Sequence, residues 1–89
     1  MAILILCNGK EKMINPARRR AGFTIREMYH HIGSKDIHVI FLADGRRMVA
    51  DAGDLEEINE KATALYHEGR NTGKAIRGTV VVGNRQEIQ

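Results

Sequence analysis

Residues 37–52 read Ile-His-Val-Ile-Phe-Leu-Ala-Asp-Gly-Arg-Arg-Met-Val-Ala-Asp-Ala, two β-rich runs on either side of Asp44-Gly45. No other stretch constrains the fold as much. Asp-Gly is a preferred pair for the two-residue hairpin turn, which needs φ above zero at both central positions. With that turn in place Ala43 faces Arg46, Phe41 faces Met48, Ile40 faces Val49, Val39 faces Ala50 and His38 faces Asp51. Each face of such a hairpin carries an apolar cross-strand pair, as strands inside a sheet do.

The flanking segments supply the remaining elements. Ala2 to Cys7 is a continuous apolar run ending at Asn8-Gly9, the pattern of a central strand buried on both faces. Lys10 to Ile14 can return from that turn as a short edge strand. Pro16 and the aperiodic Ala17 to Gly22 read as an exposed loop. Thr24-Ile25-Arg26-Glu27 is a capping box, with Phe23 and Met28 as its hydrophobic staple. Ile25, Met28, Tyr29 and Ile32 then form one apolar stripe of a helix that Gly33 ends. Asp54-Leu55-Glu56-Glu57 repeats the capping spacing ahead of a second stripe, Leu55, Ile58, Ala62, Leu65 and Tyr66, ended by Gly69; Asn59 is an alternative, later cap. Ile76 to Val82 is a last β-rich run, and Gly83 to Gln89 is expected to fray.

The expected class is α+β: one domain over residues 1–89, a mostly antiparallel sheet of four or five strands, and two helices packed on one face. A split βαβ arrangement is the alternative if the Lys10 strand is absent. At 89 residues there is room for one core. Met1 to Cys7 is too short to span a bilayer and lacks the start and cleavage site of a signal peptide, so no membrane is expected, and with the single cysteine it points to the cytoplasm.

The net charge of +3 is unevenly spread. Residues 1–33 carry six basic and two acidic side chains, whereas residues 51–68 carry one basic and six acidic. Such a molecule can present a dipolar surface to a nucleic acid or to a charged protein.

The series FTIREMYHHIG, DIHVIFLADGRRMVADAGD, INEKATALYHEG and IRGTVVVG, over residues 22–83, resembles a small domain of unknown function that recurs in phage and mobile-element genomes. The matching positions are Gly33, Asp51, Gly53, Asn59, Ala62, Thr63, Gly78 and Gly83. No catalytic residues are established for that family. The resemblance therefore implies a context, an accessory protein of a phage or mobile element directed against host defence, anti-CRISPR-like, in the host cytoplasm.

No residue pattern supplies a catalytic, cofactor or metal signature. Gly69 to Lys74 falls one residue short of a phosphate loop, follows a helix, and places Ala75 where Ser or Thr would hold magnesium, so it reads as an ordinary turn. His30, His31, His38 and His67 with Cys7 lack zinc-ligand spacing, and the histidines read as solvent-exposed. His38 opposite Asp51 has the chemistry of a base with its orienter, yet no nucleophile accompanies it, so a structural pair outweighs a small enzyme. Cys7, closing an apolar run, reads as a small hydrophobe rather than a thiol nucleophile. Asn59 and Thr63, one turn apart, either bond across to the sheet or contact a ligand.

The leading expectation is a non-enzymatic binding protein that inhibits by occupying a host protein surface. Its contact residues would be Arg18, Arg19, Arg20, Arg46 and Arg47, with Glu56, Glu57 and Glu60 as a second candidate surface. Nucleic acid is the alternative partner through the same arginines. Phe23, Tyr29, Phe41 and Tyr66 all fall on core stripes, which counts against base stacking. A homodimer through an edge strand, with Val80-Val81-Val82 pairing with its copy, is a further expectation.

Overall fold

A computed structural model of the chain describes residues 2–18, 21–53, 55–68 and 74–88. In chain order the elements are β1 (Ala2–Ile5), β2 (Glu11–Ile14), α1 (Ile25–Ile32), β3 (Ile37–Phe41), β4 (Arg47–Asp51), α2 (Glu60–His67) and β5 (Val80–Gly83). The strands form one five-stranded sheet in the order β2-β1-β5-β4-β3 with every neighbouring pair antiparallel. The α+β class and the five-strand option stand. The Lys10 edge strand is present, and no parallel pair occurs, so the split βαβ alternative does not apply.

β5 is the central strand, and Val80, Val81 and Val82 are buried. Its two faces meet different helices. Val80 and Val82 join Ile5, Met48, Ala50 and Ile76 in a cluster that receives Ala62, Leu65 and Tyr66 around α2. Val81 joins Ala2, Val49, Met28 and Ile88, with Leu4, Phe23 and Ile32 beside them around α1. The helices thus cover opposite faces of the sheet rather than one. Inner strands that are apolar on both sides leave no alternative, since a bare second face would expose about half of their side chains. The central position of β5 also removes it as a dimerisation edge; the edges are β2 and β3.

The hairpin forms, but its register is one residue away from expectation. Leu42, not Ala43, faces Arg46: its N–H donates to Arg46 O at 2.9 Å and its carbonyl accepts from Gly45 N at 3.1 Å. Asp44-Gly45 therefore lies in a three-residue loop, a type I turn closed by Gly45 at φ 93. Phe41 pairs with Arg47, Ile40 with Met48, Val39 with Val49, His38 with Ala50 and Ile37 with Asp51.

α1 starts as its sequence dictates. The Glu27 amide donates to the Thr24 hydroxyl at 3.1 Å, and the Thr24 amide donates to the Glu27 carboxylate at 3.0 Å. Gly33 ends the helix at φ 80, its N–H donating to Tyr29 O. α2 takes the later of its two possible starts, with Asn59 as cap. Leu55 and Ile58, placed in the second stripe, therefore lie ahead of the true cap and are exposed, Leu55 at 97%; Ile25, in the first turn of α1, is exposed as well.

The C-terminal segment is tied down rather than frayed. Asn84-Arg85-Gln86-Glu87 is itself a capping box: Asn84 Oδ1 accepts from the Gln86 and Glu87 amides, and Glu87 Oε1 accepts from the Asn84 amide. Ile88 is buried against the α1 face, and Glu87 O accepts from Phe23 N at 2.8 Å. Gly22 makes that approach possible. A Cβ there would stand 2.7 Å from both Gln86 O and Glu87 O, and its φ of 74 favours glycine as well.

Candidate functional site

The strand directions sort the loops into two groups. At the end where β4 begins and β5 finishes lie the Leu42–Arg46 tip, the Asn84–Ile88 turn and the loop leaving β2. At the other end lie the Cys7–Gly9 turn, the start of α2 and the segment entering β5.

The first end is basic. Arg46 Nε reaches Asp44 Oδ2 at 2.7 Å, so its charge is partly matched locally. Arg47 is half-buried; its Nη1 donates to Ile88 O at 2.8 Å and its guanidinium stands 5.2 Å from the Phe41 ring centroid. Arg18 is exposed on the loop that the Ala21 N–H closes onto its carbonyl. Arg85, exposed on the C-terminal turn, joins them and was missed in the sequence because that segment read as frayed. Arg19 and Arg20 lie outside the described residues.

The opposite end carries Glu56, Glu57 and Glu60, all exposed. Their backbone is structural: Glu56 O accepts from Arg77 Nη1 at 3.0 Å and Glu57 O accepts from Gly78 N at 2.8 Å. Cys7 points its thiol at Glu57 O, at 3.6 Å. Burial, and then the Glu57 charge, raise the thiol above its ordinary value, so at neutral pH it is protonated and a poor nucleophile.

Asn59 and Thr63 resolve to the structural option. Asn59 is fully buried, and its Nδ2 donates to Ile5 O at 3.0 Å and Gly78 O at 2.9 Å while Oδ1 accepts from Ala62 N. Both amide hydrogens are thus used. Thr63 Oγ1 accepts from Ile76 N and donates to Ile76 O. Together they clamp α2 to the end of β1 and to the approach to β5.

The His38–Asp51 pair is not made. His38 faces Ala50 on the α2 side of the sheet, and Asp51 faces Ile37 and accepts from Gly53 N at 2.8 Å. A one-residue change of register moves partners to opposite faces, and the proposed base loses its orienter. His30 is exposed, but His31 is half-buried edge-on to Phe23 with ring centroids 6.0 Å apart, and His67 Nε2 lies 2.7 Å from Lys74 O. Burial holds His31 below its ordinary value. Among the described residues no group of His, Cys, Asp and Glu is placed to hold a metal ion. The phosphate-loop-like segment, apart from Lys74, lies outside the described residues.

Grooves flank α2 because eight residues cannot cover the whole sheet face. One, of about 310 Å³, lies over Ile3, Ile5 and Val82 beside Glu11, Lys61 and Leu65. Another, of about 260 Å³, runs beside β3 between His38 and Ile40 on one side and Tyr66 and Ile76 on the other. Among the described residues no helix is long and apolar enough to cross a membrane. No family model, curated protein or solved structure matches the chain.

Proposed function

We propose that this is a non-enzymatic binding protein that acts by seating its basic end on an acidic surface of a partner protein. The observation that carries the reading is the gathering of Arg18, Arg46, Arg47 and Arg85 at one end of the sheet, whereas at the other end Glu56, Glu57 and Glu60 stand among Lys10, Lys61 and Arg77. A cluster of cations of this kind is drawn to and oriented on an oppositely charged surface before contact. The resemblance noted in the sequence adds the context of a phage or mobile-element accessory, with a host defence protein as the target and the host cytoplasm as the place. The test is capture from host lysate by wild type and by a variant combining Arg18→Glu, Arg46→Glu and Arg85→Glu. Loss of the captured protein is expected, and retention of the same protein at the same affinity would sink the basic surface.

Phe41 favours a second reading. Its place in the strand pattern predicts a core ring, yet it is 61% exposed beside the Arg47 guanidinium, a pairing on which a nucleobase can stack. A nucleic-acid partner would lose affinity by about one log unit per log of salt for each phosphate contacted. Flat salt dependence, or no DNA or RNA binding at low salt, removes it.

A further inference from the structure

The two edges of the sheet are built differently. β2 runs Glu11-Lys12-Met13-Ile14 after Lys10, and its Glu11 is ion-paired to Lys61 of α2. Charges along an edge strand are a standard deterrent to a second sheet. β3, Ile37-His38-Val39-Ile40-Phe41, has no aspartate, glutamate, lysine or arginine, and Val39 is 43% exposed.

The hydrogen-bond parity of β3 is fixed at both ends. Leu42 N donates to Arg46 O, and Ala52 N donates to Asp36 O at 2.8 Å. Bonded and non-bonded pairs alternate along an antiparallel ladder, so His38 and Ile40 turn their backbone groups toward β4. Ile37 and Val39 turn theirs outward, to the open side of the sheet.

We propose that β3 is a self-association edge, along which two copies of this chain pair antiparallel about a two-fold axis at Val39. Each β3 has five residues with Val39 in the middle, so this register uses its full length. Val39 then meets the partner's Val39, Ile37 meets the partner's Phe41, and His38 meets the partner's Ile40. The outward N–H and C=O groups of Val39 bond to their symmetry mates, and Ile37, Val39 and Phe41 form one apolar row across both chains on the α1 side. The same register carries Lys35 of each copy to the partner's tip loop, where Asp44 and Arg46 are already paired. No like charges oppose each other within it. This contact lies along β3 and touches the basic end only at Phe41 and the tip loop; Val39→Lys alters none of Arg18, Arg46, Arg47 and Arg85, so either surface can fail without the other.

The test is sedimentation of the whole chain over a concentration series, joined to residue-resolved amide exchange. Wild type is expected to reach twice the mass of the 10.0 kDa chain as concentration rises. In step with it the Ile37 and Val39 amides gain protection, while the His38 and Ile40 amides are protected throughout. Val39→Lys sets two ammonium groups face to face at the axis and is expected to weaken the dimer by about ten-fold or more. Met13→Lys, on the opposite edge where Met13 is exposed, leaves it unchanged. A single-chain mass up to millimolar concentration would overturn the proposal, and so would a dimer broken by Met13→Lys or left intact by Val39→Lys. The exchange result stands on wild type alone: a dimer without added protection at Ile37 and Val39, or protection that appears only with an added extended peptide, would equally refute it.

Discussion

Leu6-Cys7-Asn8-Gly9-Lys10 and Leu42-Ala43-Asp44-Gly45-Arg46 are the same reversal in two hairpins, β1–β2 and β3–β4. In each, the leucine N–H donates to the carbonyl of the basic residue and the leucine carbonyl accepts from the glycine N–H. In each, the Asn or Asp side chain accepts from the amide two residues on at 3.0 Å, and the glycine is left-handed, at φ 86 and φ 93. The arms that these turns deliver are unlike. The first hairpin ends in a charged outer strand and has its inner strand held through Ile5 O by the buried Asn59 amide. The second ends in an uncharged outer strand, and its inner strand is tied through the half-buried Arg47 to Ile88 O. A shared turn fixes register; side chains beyond the turn decide whether an edge is closed or open.

The largest expected effect breaks the anchor of the first hairpin. Asn59→Ala removes the α2 cap and strips the Ile5 and Gly78 carbonyls of their buried donor, which together should cost about 2–4 kcal/mol. Chemical denaturation measures it. Asn59→Asp should be no better, because it replaces the donor with a buried carboxylate facing two carbonyl oxygens. A loss below about 1 kcal/mol would mean that the clamp on β1 carries little of the fold's stability.

Next in size is a matched pair of turn variants. At Gly9 and at Gly45 a Cβ would meet nothing within 4 Å, so the cost of Gly9→Ala or Gly45→Ala is the backbone strain of a left-handed alanine alone. Each should lose about 1–2 kcal/mol, and the two losses should agree. Unequal values would show that the turns, alike in hydrogen bonding, are not alike in energy.

How much of this could be read in the sequence follows from the same comparison. Both reversals were visible as Asn-Gly and Asp-Gly, but that dipeptide serves a two-residue turn and a three-residue loop ending in a left-handed glycine equally well. The difference is one residue, and it separated His38 from Asp51. α1 was legible because its cap, staple and stop all agree. α2 offered two caps, Asp54 and Asn59, and what favours Asn59 is its reach to Ile5 and Gly78, residues far along the chain that no local pattern announces. The Asn84–Glu87 box has the spacing of Thr24–Glu27, but no apolar stripe follows it to mark a helix. Of the basic surface, Arg18, Arg46 and Arg47 were found by composition, while Arg85 needed the strand directions that bring the C-terminal turn to the same end.

The smallest effect separates the turns by chemistry rather than geometry. Asn8 and Asp44 hold equivalent places, but only Asp44 titrates. The Arg46 backbone N–H, and then its guanidinium, hold the Asp44 carboxyl below its ordinary value. A group whose folded value is lowered contributes its stability above the unfolded value, near pH 4, and loses it as pH falls through the lower folded value. The second turn should therefore loosen below about pH 4 while the first does not. In an acid titration followed by amide chemical shift, the Arg46 resonance should move and the Lys10 resonance stay flat. Asp44→Asn should make the two indistinguishable at every pH, at the loss of the ion pair to Arg46. If the Arg46 amide stayed unmoved through the carboxylate range in wild type, the Asp44 side chain would not be bonded to it in solution, and the likeness of the two turns would reduce to their glycines.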